Sequence, residues 1–260
     1  MKKNRNYYIR KIHRYLGVTI GIQFLLWTIG GLYFSWNNID NVHGDHLRKS
    51  VSFLQTDIQV VSPTVALSSL RSEKSIDSIH SIHLIRVLDK PVYQIQYFKG
   101  HSGEGSHHHV HFALADATTG VLRSPLTKDE AVAIAQEQIA DHAKVGNVEY
   151  VEHVGKHSEY RERPLPAYAV TFDEPACTIY VAAETGTYQT IRHNQWRAFD
   201  FLWMLHTMDY EGRDNFGNIA LRAFSIFGLF TVCSGFLLFF VSAPWFNKRK
   251  QIQPTISNSF

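Results

Sequence analysis

Cysteine and charge are what this chain has least of. Two cysteines in 260 residues, Cys177 and Cys233, exclude a disulfide-stapled scaffold and an all-cysteine metal centre. Charged residues make up 19% of the chain, and acids are missing from both ends. Met1 to Arg14 carries six basic residues and no acid, and Asn247 to Phe260 carries three basic residues and no acid. All 23 acidic residues lie between, so the formal charge of +3 hides basic ends around a net-acidic middle. A nucleic-acid-binding protein would not distribute its charge this way. Also lacking are paired carboxylates, a nucleophile triad and a phosphate-binding loop. The glycine cluster from Gly100 to Gly105 has no helix after it. With 45% hydrophobic and 13% aromatic residues, the chain is not disordered.

What is present begins with two runs free of charge. Residues 16–36 (LGVTIGIQFLLWTIGGLYFSW) would make a helix about 31 Å long, against a hydrocarbon core of about 30 Å. Residues 223–243 form a second run of spanning length, apolar from Ile226 to Val241. Lys2, Lys3, Arg5, Arg10, Lys11 and Arg14 precede the first run, and Lys248, Arg249 and Lys250 follow the second. Basic flanks stay on the cytoplasmic side. The expectation is a two-span protein of the bacterial inner membrane with both termini cytoplasmic and the middle displayed outside. A cleaved signal peptide fits less well, because SWNNID has no small-residue cleavage site. The spans carry Gly17-x-x-x-Gly21, Gly30-Gly31, Gly228 and Gly235, which suits close helix packing in lipid. The tails, residues 1–15 and 244–260, are too short for a flavin or nicotinamide domain.

The middle repeats itself. After a linker, residues 37–55, one unit covers 56–124 and a second 125–192. PVYQIQYFKG and HFALADATTGVL, from Pro91 to Leu122, match LPAYAVTFDEPACTIYVAAETGTYQTI, from Leu165 to Ile191. YQIQY and YAVTF alternate with the period of two of half-buried strands, and each pair closes on Thr-Gly. A helix precedes each. Thr127-x-x-Glu130 is a capping-box signature, and Ser62-Pro63 places a proline at a first helical turn. Residues 193–210 (QWRAFDFLWMLHT within them) read as an amphipathic interfacial helix, with Trp196, Phe199, Trp203 and His206 on one face.

These motifs together resemble the PepSY-associated transmembrane family. They are the entry Arg10-Lys-Ile-His13-Arg-Tyr-Leu-Gly17, the later Leu205-His206-Thr, and the doubled units ending in Asp116-Ala-Thr-Thr-Gly120 and Glu184-Thr-Gly186. The resemblance covers nearly the whole chain. It implies a membrane α-helical protein of two spans with an extracytoplasmic α+β domain of two PepSY-like helix and antiparallel-sheet repeats. Larger family members have four spans, and some are ferric-siderophore reductases that hold haem in the membrane. Two spans leave a haem site to be completed by a second chain.

Histidine, at 15 residues, is over-represented. Neutral imidazole ligates haem iron, and the resemblance makes His13 and His206 the first candidates for haem b. The plainer alternative for each is an interfacial histidine among basic or aromatic neighbours. His43, His46 and His193 fall near the outer face and could partner His206, although each alone reads as a loop residue. His13 is the sole histidine on the cytoplasmic side, so a two-histidine site there requires a homodimer. The run holding His107, His108, His109 and His111 could bind copper, zinc or iron, but lacks the spacing of a structural zinc site. Cys177 and Cys233 read as packing residues.

The expected function is a b-haem electron-transfer subunit in the lipid bilayer, homodimeric or paired with a membrane redox protein. It would serve iron uptake by a ferric-reductase-like reduction of an outer acceptor such as a ferric chelate. The alternative is a non-catalytic PepSY binding or regulatory module anchored by the two spans. A third reading is metal capture by the histidine-rich run.

Overall fold

A computed structural model describes residues 5–50, 53–99, 110–139 and 143–242. The chain divides into two compact units, one made of Met1–Trp36 with Phe199–Phe260 and the other of Asn37–Ala198.

The helical unit is built on α1 (Arg5–Trp36) and α6 (Ile219–Ser242). Residues Tyr7–Trp36 and Ile219–Ser242 are each long and apolar enough to cross a membrane. Their flanks expose large apolar side chains, Ile22, Leu25, Phe230 and Phe239 among them. A helix apolar all round has to be covered by protein or by lipid. The two helices run antiparallel: Phe24 of α1 lies over Gly228, while His13, nearer the start of α1, lies over Gly235, nearer the end of α6. Buried Gln23 of α1 donates to the Leu205 carbonyl at 2.8 Å. That satisfies one of the carbonyls a helix end leaves unpaired, here at the close of α5 (Asn194–Thr207).

The α/β unit begins with the segment expected to be a plain linker, which is partly folded. It forms α2 (Ile39–His43) and a 3-10 turn over Asp45–Leu47, with Val42 fully buried. Gly44 joins them at φ +84, and a Cβ there would stand 2.5 Å from Ile191 Cγ2. Only glycine meets both demands.

Two halves of the same design follow. The first is α3 (Pro63–Glu73), β1 (Ser78–Val87), β2 (Lys90–Phe98), β3 (Val110–Asp116) and β4 (Leu122–Arg123). The second is α4 (Lys128–Glu137), β5 (Lys144–Val151), β6 (Ala167–Glu174), β7 (Cys177–Ala182) and β8 (Thr187–His193). Each sheet is a four-stranded antiparallel meander in chain order. Ser62 caps α3 with Pro63 at its first turn, and Thr127 and Glu130 form the reciprocal capping box of α4, both as the sequence predicts.

Alternation divides the faces. Tyr93, Ile95, Tyr97, Ala113 and Ala115 of the first sheet pack on Ala66 and Leu70 of α3. Val87, Val92 and Leu114 on its other face join α4 and the second sheet in the larger core, around Ile134, Val170, Phe172, Ile179 and Ile191. The halves therefore share one core and fold as a unit. Behind the second sheet, Tyr160 stacks on Tyr180 at 4.5 Å.

Candidate functional site

His13 sits on the face of α1 that meets α6. Its Nδ1 is 2.8 Å from Ser234 Oγ, and Ser234 Oγ–H donates to the Thr231 carbonyl at 2.8 Å. A hydroxyl has one hydrogen, so with Ser234 giving it to Thr231 the serine accepts from the ring and the proton of His13 stands on Nδ1. In the neutral ring Nε2 is then the nitrogen with the free lone pair. Gly235 lies against the ring, where a Cβ would stand in van der Waals contact with His13 Cε1 at 3.4 Å.

His206, on the last turn of α5, lies in an aromatic cluster. Its ring stacks on Trp203 at 6.1 Å and meets Trp27 at 5.5 Å and Phe34 at 6.2 Å. Phe34 also meets Phe199 at 4.8 Å. Nδ1 of His206 is buried without a hydrogen-bond partner among the described residues, a rare state for a polar atom inside a protein. The expected aromatic face of α5 is thus present for Phe199, Trp203 and His206. Trp196, at the start of the same helix, lies under the Arg192 guanidinium at 3.8 Å.

The turn after α5 is tightly knit. Asp209 accepts from the backbone N–H groups of Glu211, Gly212 and Asn215. These bonds, led by the one from Asn215, hold its carboxyl below the usual carboxylate range. Asp200 and Arg213 pair, and Trp203 Nε1 donates to Asp214.

His193 does a different job from the one anticipated. It precedes α5, and its Nδ1 accepts from the N–H groups of Gln195 and Trp196 at 3.1 and 3.2 Å. It is an N-cap residue, with imidazole replacing the usual hydroxyl or carboxylate. The proton must then be on Nε2, which donates to the Asn41 carbonyl at 2.9 Å. Both nitrogens are committed, so neither is free to ligate iron without loss of the cap. Burial, the first cause, pushes the His193 pKa down, and His46, 5.4 Å away edge-to-face, adds to it. His46 and His43 are exposed; the structure brings His46 to His193 and brings neither to a ligand set.

His111 lies in β3 and stacks on Tyr97 at 5.6 Å. His107, His108 and His109 lie outside the described residues. Among the described residues no three histidine, cysteine, aspartate or glutamate side chains come together as a metal site. Both cysteines are free thiols.

Sequence reasoning passed over Ser234, Trp27 and Phe34, the neighbours that define the two histidines' surroundings. Ser234-Gly235 does interrupt the apolar run of α6, a signal that could have flagged the first. No family model matches the chain, and no curated protein or solved structure matches it either.

Proposed function

We propose that the chain is a membrane-anchored b-haem electron-transfer subunit, the activity implied by its resemblance to PepSY-associated membrane proteins. The supporting observation is the state of His13. A haem-ligating histidine ordinarily donates Nδ1–H to a fixed acceptor and offers Nε2 to the metal, and the Ser234 acceptor gives His13 that form. One imidazole in that form is the kind of donor the group takes, which supports the reading at this position. His206 has no such acceptor among the described residues, and it enters the reading through the flat aromatic walls around it.

Haem, when bound, supplies a one-electron centre. The chain's part is to hold the ring edges, fix the histidine tautomer and keep water out. His13 and the Trp27 edge of the His206 cluster are 14 residues apart on α1, or about 21 Å along a helix. Two centres at these depths would carry electrons most of the way across a bilayer core of ~30 Å. His13 would hold the group from one chain, and in this reading a second copy of the chain would supply the partner imidazole. The orientation proposed is both termini on the cytoplasmic side, with the α/β unit outside and a ferric chelate as acceptor.

The test is the absorption spectrum of the purified full chain, oxidised and then reduced with dithionite. A sharp Soret band with split visible bands on reduction is expected. His13→Ala and His206→Ala should each remove a different part of it. Full retention of the signal in the double substitution, or a featureless spectrum from haem-replete cells, overturns the reading.

A further inference from the structure

The two halves of the α/β unit match strand for strand until the fourth. In each, the third strand leads into the same turn: Gly120 N–H donates to the Asp116 carbonyl and Gly186 N–H to the Ala182 carbonyl, both glycines at positive φ. The register beyond the turn also agrees, with Ala115 opposite Leu122 and Val181 opposite Tyr188. There the halves part. β8 continues beside β7 to His193 and sets Ile191 opposite Ile179, fully buried against α4. β4 pairs through Leu122 and Arg123 alone. Pro125, with no N–H for a ladder, follows closely, and the Leu126 N–H goes instead to the Ala183 carbonyl.

β3 is therefore left, from Val110 to Ala113, without a described strand on the side where β7 has β8. The direction of its backbone groups follows from the ladder. Asp116 N–H bonds Val121 on that side, and outward groups recur at every second residue of an antiparallel strand. Leu114, Phe112 and Val110 thus aim their N–H and C=O the same way. β4 meets Leu114; Phe112 and Val110 lie beyond its reach.

A groove of about 280 Å³ lies along this edge, floored by Phe112 and Ala113 and walled by Glu73 and Lys74 from the end of α3 and by Glu184. Ala113 holds the place that Ile179 holds in the second half; Pro125, at the place of Ile191, lines the groove but makes no ladder pair with it. Arg123 is paired with Glu130, and Lys74 lies over the Tyr97 ring at 5.9 Å. Among the described residues, the carboxylates Glu73 and Glu184 remain to meet a cation.

We propose that this edge of β3 docks an extended segment of a partner protein, which completes the short fourth strand. The segment pairs antiparallel with Val110–Ala113, places an apolar side chain opposite Ala113, and sets a lysine or arginine toward Glu73 and Glu184. Strand addition of this kind takes affinity from main-chain bonds and specificity from alternate side chains. The inference is independent of haem.

The test pans a displayed library of random seven-residue peptides against the full chain in lipid nanodiscs, then measures enriched peptides by fluorescence anisotropy. Enriched sequences should alternate apolar residues and carry Lys or Arg. Methylating the peptide nitrogens that face β3 should weaken binding by about tenfold or more, the loss of one or two backbone bonds. Phe112→Pro, which removes an outward N–H, should weaken it similarly, and Phe112→Val, which changes the side chain alone, should not. Because the methylated peptides are tested on the unaltered chain, the result stands even if Phe112→Pro fails to fold. Absence of enrichment, or binding indifferent to methylation, overturns the proposal. So does a Phe112 amide already protected from hydrogen exchange without peptide, which would mean the chain covers this edge itself.

Discussion

His193 shows how much one side chain's protonation can carry. Its Nδ1 caps α5 only as an acceptor, so protonation of that nitrogen breaks the cap. The folded pKa lies below the ordinary value of 6.5, chiefly through burial, and the unfolded chain binds the proton more readily. Stability from this group is therefore complete above pH 6.5 and lost as pH falls through the window below it. His46 and Arg197, both nearby, act in the same direction. Thermal unfolding between pH 7.5 and 5 should show this decline, and His193→Asn, which keeps a capping acceptor, should flatten it. His193→Ala should cost about 0.5–2 kcal/mol at neutral pH. At the opposite extreme is Cys177, across the ladder from His193. Burial pushes its thiol up to about 11, and only the thiolate reacts. In the folded chain at pH 8 it should resist alkylation that proceeds readily after denaturation; equal rates would contradict its burial.

Among the elements, the two long helices separate glycines that pack from glycines that do not. A Cβ at Gly228 would meet Phe24 at 3.4 Å, and one at Gly235 would meet His13. A Cβ at Gly17, Gly21 or Gly31 meets nothing within 4 Å. Gly228→Leu should therefore force α1 and α6 apart and lower the melting temperature in detergent, by the ~1–3 kcal/mol of an overpacked site. Gly17→Leu should leave it unchanged unless a second chain packs there. A destabilised Gly17→Leu whose melting depends on protein concentration would be evidence for the homodimer. The small-xxx-small pattern was visible in sequence, but not which face of α1 meets α6. That depends on where α6 returns. The strands show a similar limit. β1 went unrecognised because a bulge between Ile79 and Ser81 shifts the alternation partway along it, and a period of two is legible only where the ladder is unbroken.

For the whole molecule, the antiparallel pairing of α1 with α6 places the start of α1 and the end of α6 on one side if both helices cross a membrane. Single cysteines introduced at Lys3 and Ser257 of a Cys177→Ser/Cys233→Ser chain should both resist an impermeant maleimide applied from outside the cell. One introduced at the exposed Glu162 should react. Labelling of either end from outside would overturn the orientation.

Local chemistry was enough to place several parts of this protein from sequence. The two apolar helices follow from length and hydropathy, the starts of α3 and α4 from their capping residues, and the repeated hairpins from alternation and a closing glycine. Each is decided within one or two turns of chain. Tertiary structure alone decided the rest. His13 and Ser234, 221 residues apart, share a bond because α6 folds back on α1. His193 became a cap because α2 brings the Asn41 carbonyl to its other nitrogen. β4 is shorter than β8 because Leu126 finds a backbone partner in the other half. Contacts between distant segments depend on how elements pack, and no local pattern of residues records that packing.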